Sequence, residues 1–358
     1  MAPKLEVLVH DRYYDITQFA KRHPGGSIIH FFEHSDATLA WDEFHSRSKK
    51  AMKMLKALPS RPKEEEQEEE EKKKEGDQRN RFLELKIDEK DSSNNSNHKT
   101  IKIDLEKLTS DYIELRQEFE KAGYFDPSLI HVFFRYLEIL IGFLLGFLLI
   151  HYNFTITGLI VLGIISGRCG WLMHEAGHYS LTGNVELDRF LQEMTYALGI
   201  GLSGAYWRNQ HNKHHASPQR LDHDIDLNTL PLVAFHEFIA KRSPNSLWRK
   251  YQSWLFPLVI TSIVSLTWQL YLHPRHMIRT KNYREILLLT LRWVLVFYSS
   301  RNFSFGQFLW MYLFCNMVGA CYIFVHFTVS HTHKPVTSPD EELHWVIYSS
   351  EYTSVRNF

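Results

Sequence analysis

Five histidines fall in two short runs. His174-Glu175-Ala176-Gly177-His178 sets two imidazoles four residues apart, on one face of a helix. Thirty-three residues after His178 begins the set His211, His214 and His215, spaced i, i+3, i+4 within Trp207-Arg208-Asn209-Gln210-His211-Asn212-Lys213-His214-His215. Three rings on one face are hard to explain by core packing, and imidazole is a common ligand for zinc, iron, copper and nickel. Five ligands exceed what a single metal takes, so two metals are the economical reading. His174 to His178 also matches H-E-x-x-H, in which two histidines hold zinc and a glutamate acts as base. A zinc protease needs one further ligand, for which His211 would serve. It has no use for the remaining pair or for a haem module.

A second pair lies near the N-terminus. Tyr14-Asp15-Ile16-Thr17-Gln18-Phe19 precedes His23-Pro24-Gly25-Gly26, and Phe44-His45-Ser46 follows twenty-two residues after His23. Asp15 or Thr17 suits a cap, and Pro-Gly-Gly suits a tight turn that lets backbone approach a flat ligand. Two imidazoles facing across an apolar slot (Phe19, Ile28, Ile29, Phe31, Phe32, Leu39) would ligate haem iron on both sides. Such iron has no open position and carries electrons.

The elements that must position these groups divide the 358 residues into unlike regions. Residues 1–60 mix short apolar runs and polar turns, as a small α+β domain does. From 61 to 100 the chain is low in complexity: Lys63 to Glu75 is almost all Glu and Lys, and Asp91 to Asn97 is rich in Ser and Asn. This composition reads as a flexible linker. Over 101–128, Leu105, Leu108, Tyr112, Leu115 and Phe119 keep helical spacing, predicting an amphipathic helix at a membrane surface or against the following domain.

From 131 the chain becomes strongly apolar. Segments 133–151 and 154–173 read as a transmembrane hairpin, with Arg135 and Glu138 able to pair near one end. Residues 252–272 and 307–328 are further spans, and 286–298 is short enough to be interfacial. Four crossings put 174–250 and both termini on one face. Lys241, Arg242, Arg249 and Lys250 mark that face as cytosolic. Arg275, Arg279, Lys281 and Arg284, between the later segments, fit this if they stay at the same interface; otherwise the count is wrong.

Overall charge is balanced, 41 basic against 41 acidic residues, which argues against a nucleic-acid partner. The mean hydropathy of −0.29 conceals the contrast between the polar N-terminal third and the apolar remainder. Cys169, Cys315 and Cys321 lie in apolar stretches without a C-x-x-C and read as buried thiols. Met1 to His10 has no apolar core, so no secretory signal is expected.

Residues 5–60 resemble a cytochrome b5 domain, in which the histidine of the H-P-G-G turn and a later Phe-His histidine are the axial haem ligands. The resemblance assigns these roles to His23 and His45. Residues 105–358 resemble the membrane fatty acid desaturases, specifically front-end desaturases with a fused b5 domain. The stretches that carry this are WLMHEAGHYSLTGN (171–184), WRNQHNKHHASPQ (207–219), HDIDLNTLPLVAFH (223–236) and FTVSHTHKPV (327–336). The implied fold is multi-domain. A small α+β haem domain (5–60) and a charged linker (61–104) precede an all-α membrane domain (105–358) with about four transmembrane helices and a cytosolic histidine-rich cap.

The resemblance implies O₂-dependent insertion of a double bond into a fatty acyl chain. Its cofactors would be haem b and two non-haem irons, and its partners an acyl lipid or acyl-CoA, membrane lipids and NADH-cytochrome b5 reductase. The setting would be the endoplasmic reticulum membrane, with haem domain and boxes facing the cytosol. The iron ligands would be His174, His178, His211, His214, His215 and His331, with His333 the second choice for the last place. Glu175 and Asn212 would orient imidazoles. His326 reads as a packed residue. Asp222, His223, Asp224 and Asp226 read equally as supports of the ligands, a headgroup contact or a solvated loop.

The family also has a third box, Q-x-x-H-H, and no such run follows Leu343. A partial sequence, a truncated gene product and an inactive relative all account for this, and the ending Ser354-Val355-Arg356-Asn357-Phe358 favours a fragment. The chain as it stands is therefore expected not to desaturate, whereas a version extended through a third box is. Lipid profiling of a host fed polyunsaturated precursors distinguishes these. Two other functions share the domain plan: desaturation of sphingolipid long-chain bases, and a non-catalytic b5-fused electron carrier.

Overall fold

The computed structural model describes residues 4–23, 26–45, 48–63, 82–90, 96–227, 229–243, 247–331, 334–339, 341 and 344–352. The chain divides into two compact units, 1–125 with 340–358, and 126–339.

In the first unit, β1 (Glu6–Val9) and β2 (Arg12–Asp15) form an antiparallel hairpin, and β3 (Ser60–Pro62) adds to β2. Val7 and Val9 of β1 join Ile16 and Ala37 in a buried core, with Ile29, Phe32 and Trp41 packed against it. Two helices follow: α1 (Thr38–His45), whose first turn is capped by the Asp36 carboxylate accepting from Thr38 N, and α2 (Lys49–Lys56), capped by Ser48.

Residues 82–104, expected to be linker, contain a second hairpin. Here β4 (Phe82–Lys90) pairs antiparallel with β5 (Ser96–Asp104), Leu85 opposite Ile101. The alternation Leu83-Glu84-Leu85-Lys86-Ile87-Asp88 is the strand period, masked in composition by the charge around it. Asp104 then caps α3 (Leu105–Lys121), accepting from Glu106 N and Lys107 N. Within this unit α3 packs against the late helix α13 (Trp345–Glu351), Tyr112 lying 5.8 Å from the Trp345 ring. Both helices thus lie in the first of the two compact units.

The second unit is helical. Two long helices, α4 (Leu129–His151) and α5 (Thr155–Gly177), are joined by a three-residue turn with Asn153 at φ 66°. The first box closes α5. Next come α6 (Val185–Glu193), extended by a π turn through Leu198, and α7 (Gly204–Ala216), which carries the second box. After two short helices, α8 (Glu237–Lys241) and α9 (Leu247–Lys250), a continuous helix α10 (Gln252–Arg279) contains two π turns. It leads to α11 (Tyr283–Ser299) and α12 (Phe305–His331). Among the described residues, α4, α5, α10 and α12 are long and apolar enough to cross a membrane, matching the expected four.

Three charges within α4 and α5 form one ion-paired group. Arg168 of α5 holds Glu138 of α4 through two bonds of 2.8 and 3.0 Å, and Arg135 reaches the same carboxylate at 2.6 Å. The segment expected at 286–298 is α11, and it packs as a hairpin partner of α12. Trp293 faces Tyr312, and Phe297 faces Phe308.

Candidate metal centre and haem pocket

Four histidine side chains converge where α5 ends and α7 passes it. His174, His178, His211 and His215 each offer a ring nitrogen, and these atoms lie within 4.8 Å of one another. His211 and His215 come closest, Nε2 to Nε2 at 2.9 Å. The His178 Nε2 is buried with no hydrogen-bond partner. Burial drives the His178 pKa down to about 4, with the charge of His214 adding to it. His211 is driven far below the ordinary imidazole range, by burial first and then by its histidine neighbours. A neutral imidazole with a buried, unpartnered Nε2, as at His178, suits a metal, because only the neutral ring has a lone pair to donate.

His214 takes a different orientation. Its Nδ1 donates to Asp224 Oδ1 at 2.8 Å and lies 3.3 Å from Asp226 Oδ2. Burial works against a charged His214, but the Asp224 hydrogen bond and the two carboxylates outweigh it and raise the pKa. Asp224 is itself fixed, accepting from Gln219 N at 2.8 Å and Asp226 N at 2.9 Å. A carboxylate on Nδ1 fixes the tautomer that puts the ring's lone pair on Nε2. Of the alternatives for the 222–226 cluster, Asp224 and Asp226 support a histidine, while Asp222 pairs with Arg242. Glu175 and Asn212 are exposed and form no hydrogen bond to a box histidine among the described residues, whereas Asp224 bonds His214. The His331 side chain and all of His333 lie outside the described residues. His326, expected to be packed, is exposed, its Nδ1 bonded to Tyr322 O.

Trp207 locks the two boxes together. Its ring stacks on His211 at 4.1 Å and lies 5.2 Å from His174. A methyl group on Gly177 would sit 2.3 Å from Trp207 Cζ3, so the glycine within the first box is what lets the indole in. Gln192, fully buried beneath, accepts from Arg208. Trp207 stood within the second motif, but nothing in spacing marked it as the spacer.

The centre opens on a cavity of about 700 Å³ walled mainly by apolar side chains, among them Trp171, Leu232, Val264 and Phe324, with His174 and His211 in its lining. That is the size and character of a site for an elongated apolar ligand.

In the first unit, His23 and His45 face each other with ring centres 6.2 Å apart and planes at 87°. An imidazole nitrogen binds a first-row metal at about 2 Å, so rings on opposite sides of one iron stand about 6 Å apart centre to centre. The pair fits haem. Phe19 lies 5.7 Å from His23, and Trp41, absent from the expected slot, lies 4.8 Å from His45. Burial, then the nearby His23, lowers the His45 pKa and keeps the ring neutral. Pro24 and Gly25 lie outside the described residues, as does the Ile28 side chain.

A haem-type module joined to a helical bundle that sets a histidine cluster at the mouth of an apolar cavity defines a membrane redox enzyme for an apolar substrate. The chain belongs to the fatty acid desaturases: residues 152–357 match the fatty acid desaturase model, and residues 4–60 match that of the cytochrome b5-like heme/steroid binding domain. The acyl-lipid (8-3)-desaturase of Rebecca salina is 47% identical over 354 residues, covering 98% of this chain and 75% of that protein. The acyl-lipid (8-3)-desaturase of Thraustochytrium sp is 41% identical over 360 residues, covering 97% and 75%. The Delta(6)-fatty-acid desaturase of Caenorhabditis elegans is 28% identical over 221 residues, 61% of this chain and 46% of that one. No solved structure matches. The chain is thus a front-end fatty acid desaturase with an N-terminal b5 domain and a multi-pass membrane domain.

Proposed function

We propose that this desaturase introduces a double bond into a polyunsaturated fatty acyl chain carried on a lipid; two of its relatives are named acyl-lipid (8-3)-desaturases. The observation that carries this is the cluster of His174, His178, His211 and His215 in the wall of the apolar cavity. Removing hydrogen from an unactivated CH₂ exceeds acid-base chemistry, and a pair of histidine-held irons with O₂ supplies the missing oxidising power. His214, steered by Asp224, and His331 would add to these ligands, alongside those of the family's third box, Asp224 taking the place assigned to Glu175 and Asn212. Trp207 holds the two boxes in register while the apolar wall keeps water from the acyl chain. His23 and His45 would hold haem, which would pass on single electrons received from NADH-cytochrome b5 reductase. The setting is the endoplasmic reticulum membrane, with boxes and haem domain facing the cytosol. Metal and haem analysis of the detergent-purified chain tests this. Haem with two non-haem irons supports the desaturase; haem without iron favours an electron carrier, and stoichiometric zinc the protease.

A further inference from the structure

The second-box helix α7 begins at a turn that is gripped from outside. Ser203, fully buried, caps α7 by accepting from Tyr206 N at 3.0 Å, and donates its own hydroxyl to Glu285 Oε2 at 2.5 Å. The other oxygen of Glu285 accepts from Ala205 N at 2.9 Å. The Ser203 N–H donates to His273 Nδ1 at 2.7 Å. Glu285 and His273 are both buried, 0% and 1% exposed. The preceding helix ends against a cation: Arg292 donates to the carbonyls of Leu198 and Gly199, in the last turn before Gly201 at φ 83°.

Glu285 and Arg292 are seven residues apart on α11, hence on one face. The carboxylate meets the N–H end of one helix and the guanidinium the carbonyl end of the other, the arrangement each helix dipole favours. None of these bonds touches a box histidine. They determine where α7 starts and at what angle.

We propose that α11 is a strut for the metal centre, in which Glu285 and Arg292 clamp the turn before α7 and thereby aim His211 and His215 at His174 and His178. These are positioning residues, and the proposal rests on the reading that the histidines hold metal. The lever arm gives it force. His211 lies seven residues along α7 from Gly204, about 10 Å. A tilt of about 10° at the turn moves its ring by about 2 Å, whereas a working site tolerates about 0.5 Å. At its far end α7 is fastened by His214 to Asp224, so the helix is pinned on both sides of its ligands.

Cobalt(II) titration of the full chain in detergent reads this directly, because the visible bands report coordination geometry as well as occupancy. Glu285→Ala should weaken binding by about 10–100-fold and alter the spectrum. Glu285→Gln keeps one acceptor oxygen and should fall between it and the unaltered chain, and Arg292→Met should shift binding in the same direction. Leu288→Ala is the control. It removes a packed side chain from the same helix, beside Ala197 and Met277, and takes away no hydrogen-bonding group of either clamp. It should lower the melting temperature yet leave cobalt affinity within about threefold. Unchanged affinity and bands in both Glu285 variants would overturn the strut, as would a Leu288→Ala spectrum displaced as far as that of Glu285→Ala. Absence of cobalt binding in the unaltered chain would remove the metal reading and the strut together.

Discussion

Gly177 shows how much depends on one missing methyl group. A Cβ there would meet Trp207 Cζ3 at 2.3 Å and Gln192 Nε2 at 2.5 Å. Gly177→Ala should push the indole off His211, parting the two boxes and weakening metal binding by about tenfold; unchanged cobalt affinity would show that the indole yields freely. His178 offers a second test. In the metal-free chain its pKa is near 4 against an ordinary 6.5. The unfolded chain then takes a proton that the folded one refuses. The stability is fully present above pH 6.5 and is lost as the pH falls toward 4, by up to about 3 kcal/mol. The melting temperature should therefore fall across that window, with a shallower slope in His178→Ala, and a slope unaffected by that substitution would contradict the assignment. The i, i+4 pairs of both boxes were legible in the sequence because helical spacing alone brings such rings to one face. The orientation of His214 was not, since it depends on which carboxylate the fold brings to its Nδ1. Glu285 and His273 were invisible for the same reason, standing 82 and 70 residues from the serine they serve.

The elements were legible where a single period dominates. The two hairpin helices α4 and α5 announce themselves by unbroken apolar length, and the strand alternation of 82–90 was readable but was outweighed by the charge around it. What the pattern does not reveal is how closely helices approach. Between α5 and α12 the seam is backbone against backbone: a Cβ on Gly163 would meet Val318 Cβ at 2.6 Å and the Cys315 carbonyl at 2.9 Å, and one on Gly319 the Gly163 carbonyl at 2.9 Å. Gly163→Val should cost about 1–3 kcal/mol in thermal unfolding, because neither backbone can give way. Gly306→Ala, with nothing within 4 Å, should leave the melting temperature unmoved. Equal losses in the two would mean that the seam opens without cost.

At the scale of the molecule the question is which turns share a side of the membrane. The basic residues Arg275, Arg279, Lys281 and Arg284 would lie on the wrong face if α10 crossed the bilayer fully. Its bonds indicate otherwise. At its start Gln252 holds the backbone of Ala234, beyond the second box, and near its end His273 holds the turn before α7. Arg284, just past the following turn, pairs with Glu193 of α6. Both ends of α10 are thus tied to elements near the histidines; were both held at one interface, α10 would contribute cavity wall and α11 would replace it as the fourth crossing. The short α11 then descends beside α12, Phe297 against Phe308 near the turn at 300–304. Such an arrangement would keep an even number of crossings and would put the positive charge on the box side, as the charge rule requires. Single cysteines at Lys241, Lys281, Asn153 and Asn302, labelled with an impermeant maleimide in sealed vesicles, separate the alternatives, since the native thiols lie within the apolar helices. Lys241→Cys and Lys281→Cys should label from one face, and Asn153→Cys and Asn302→Cys only from the other. If position 281 labels with 302 instead, α10 crosses the membrane and its bonds to the second-box turn do not form there.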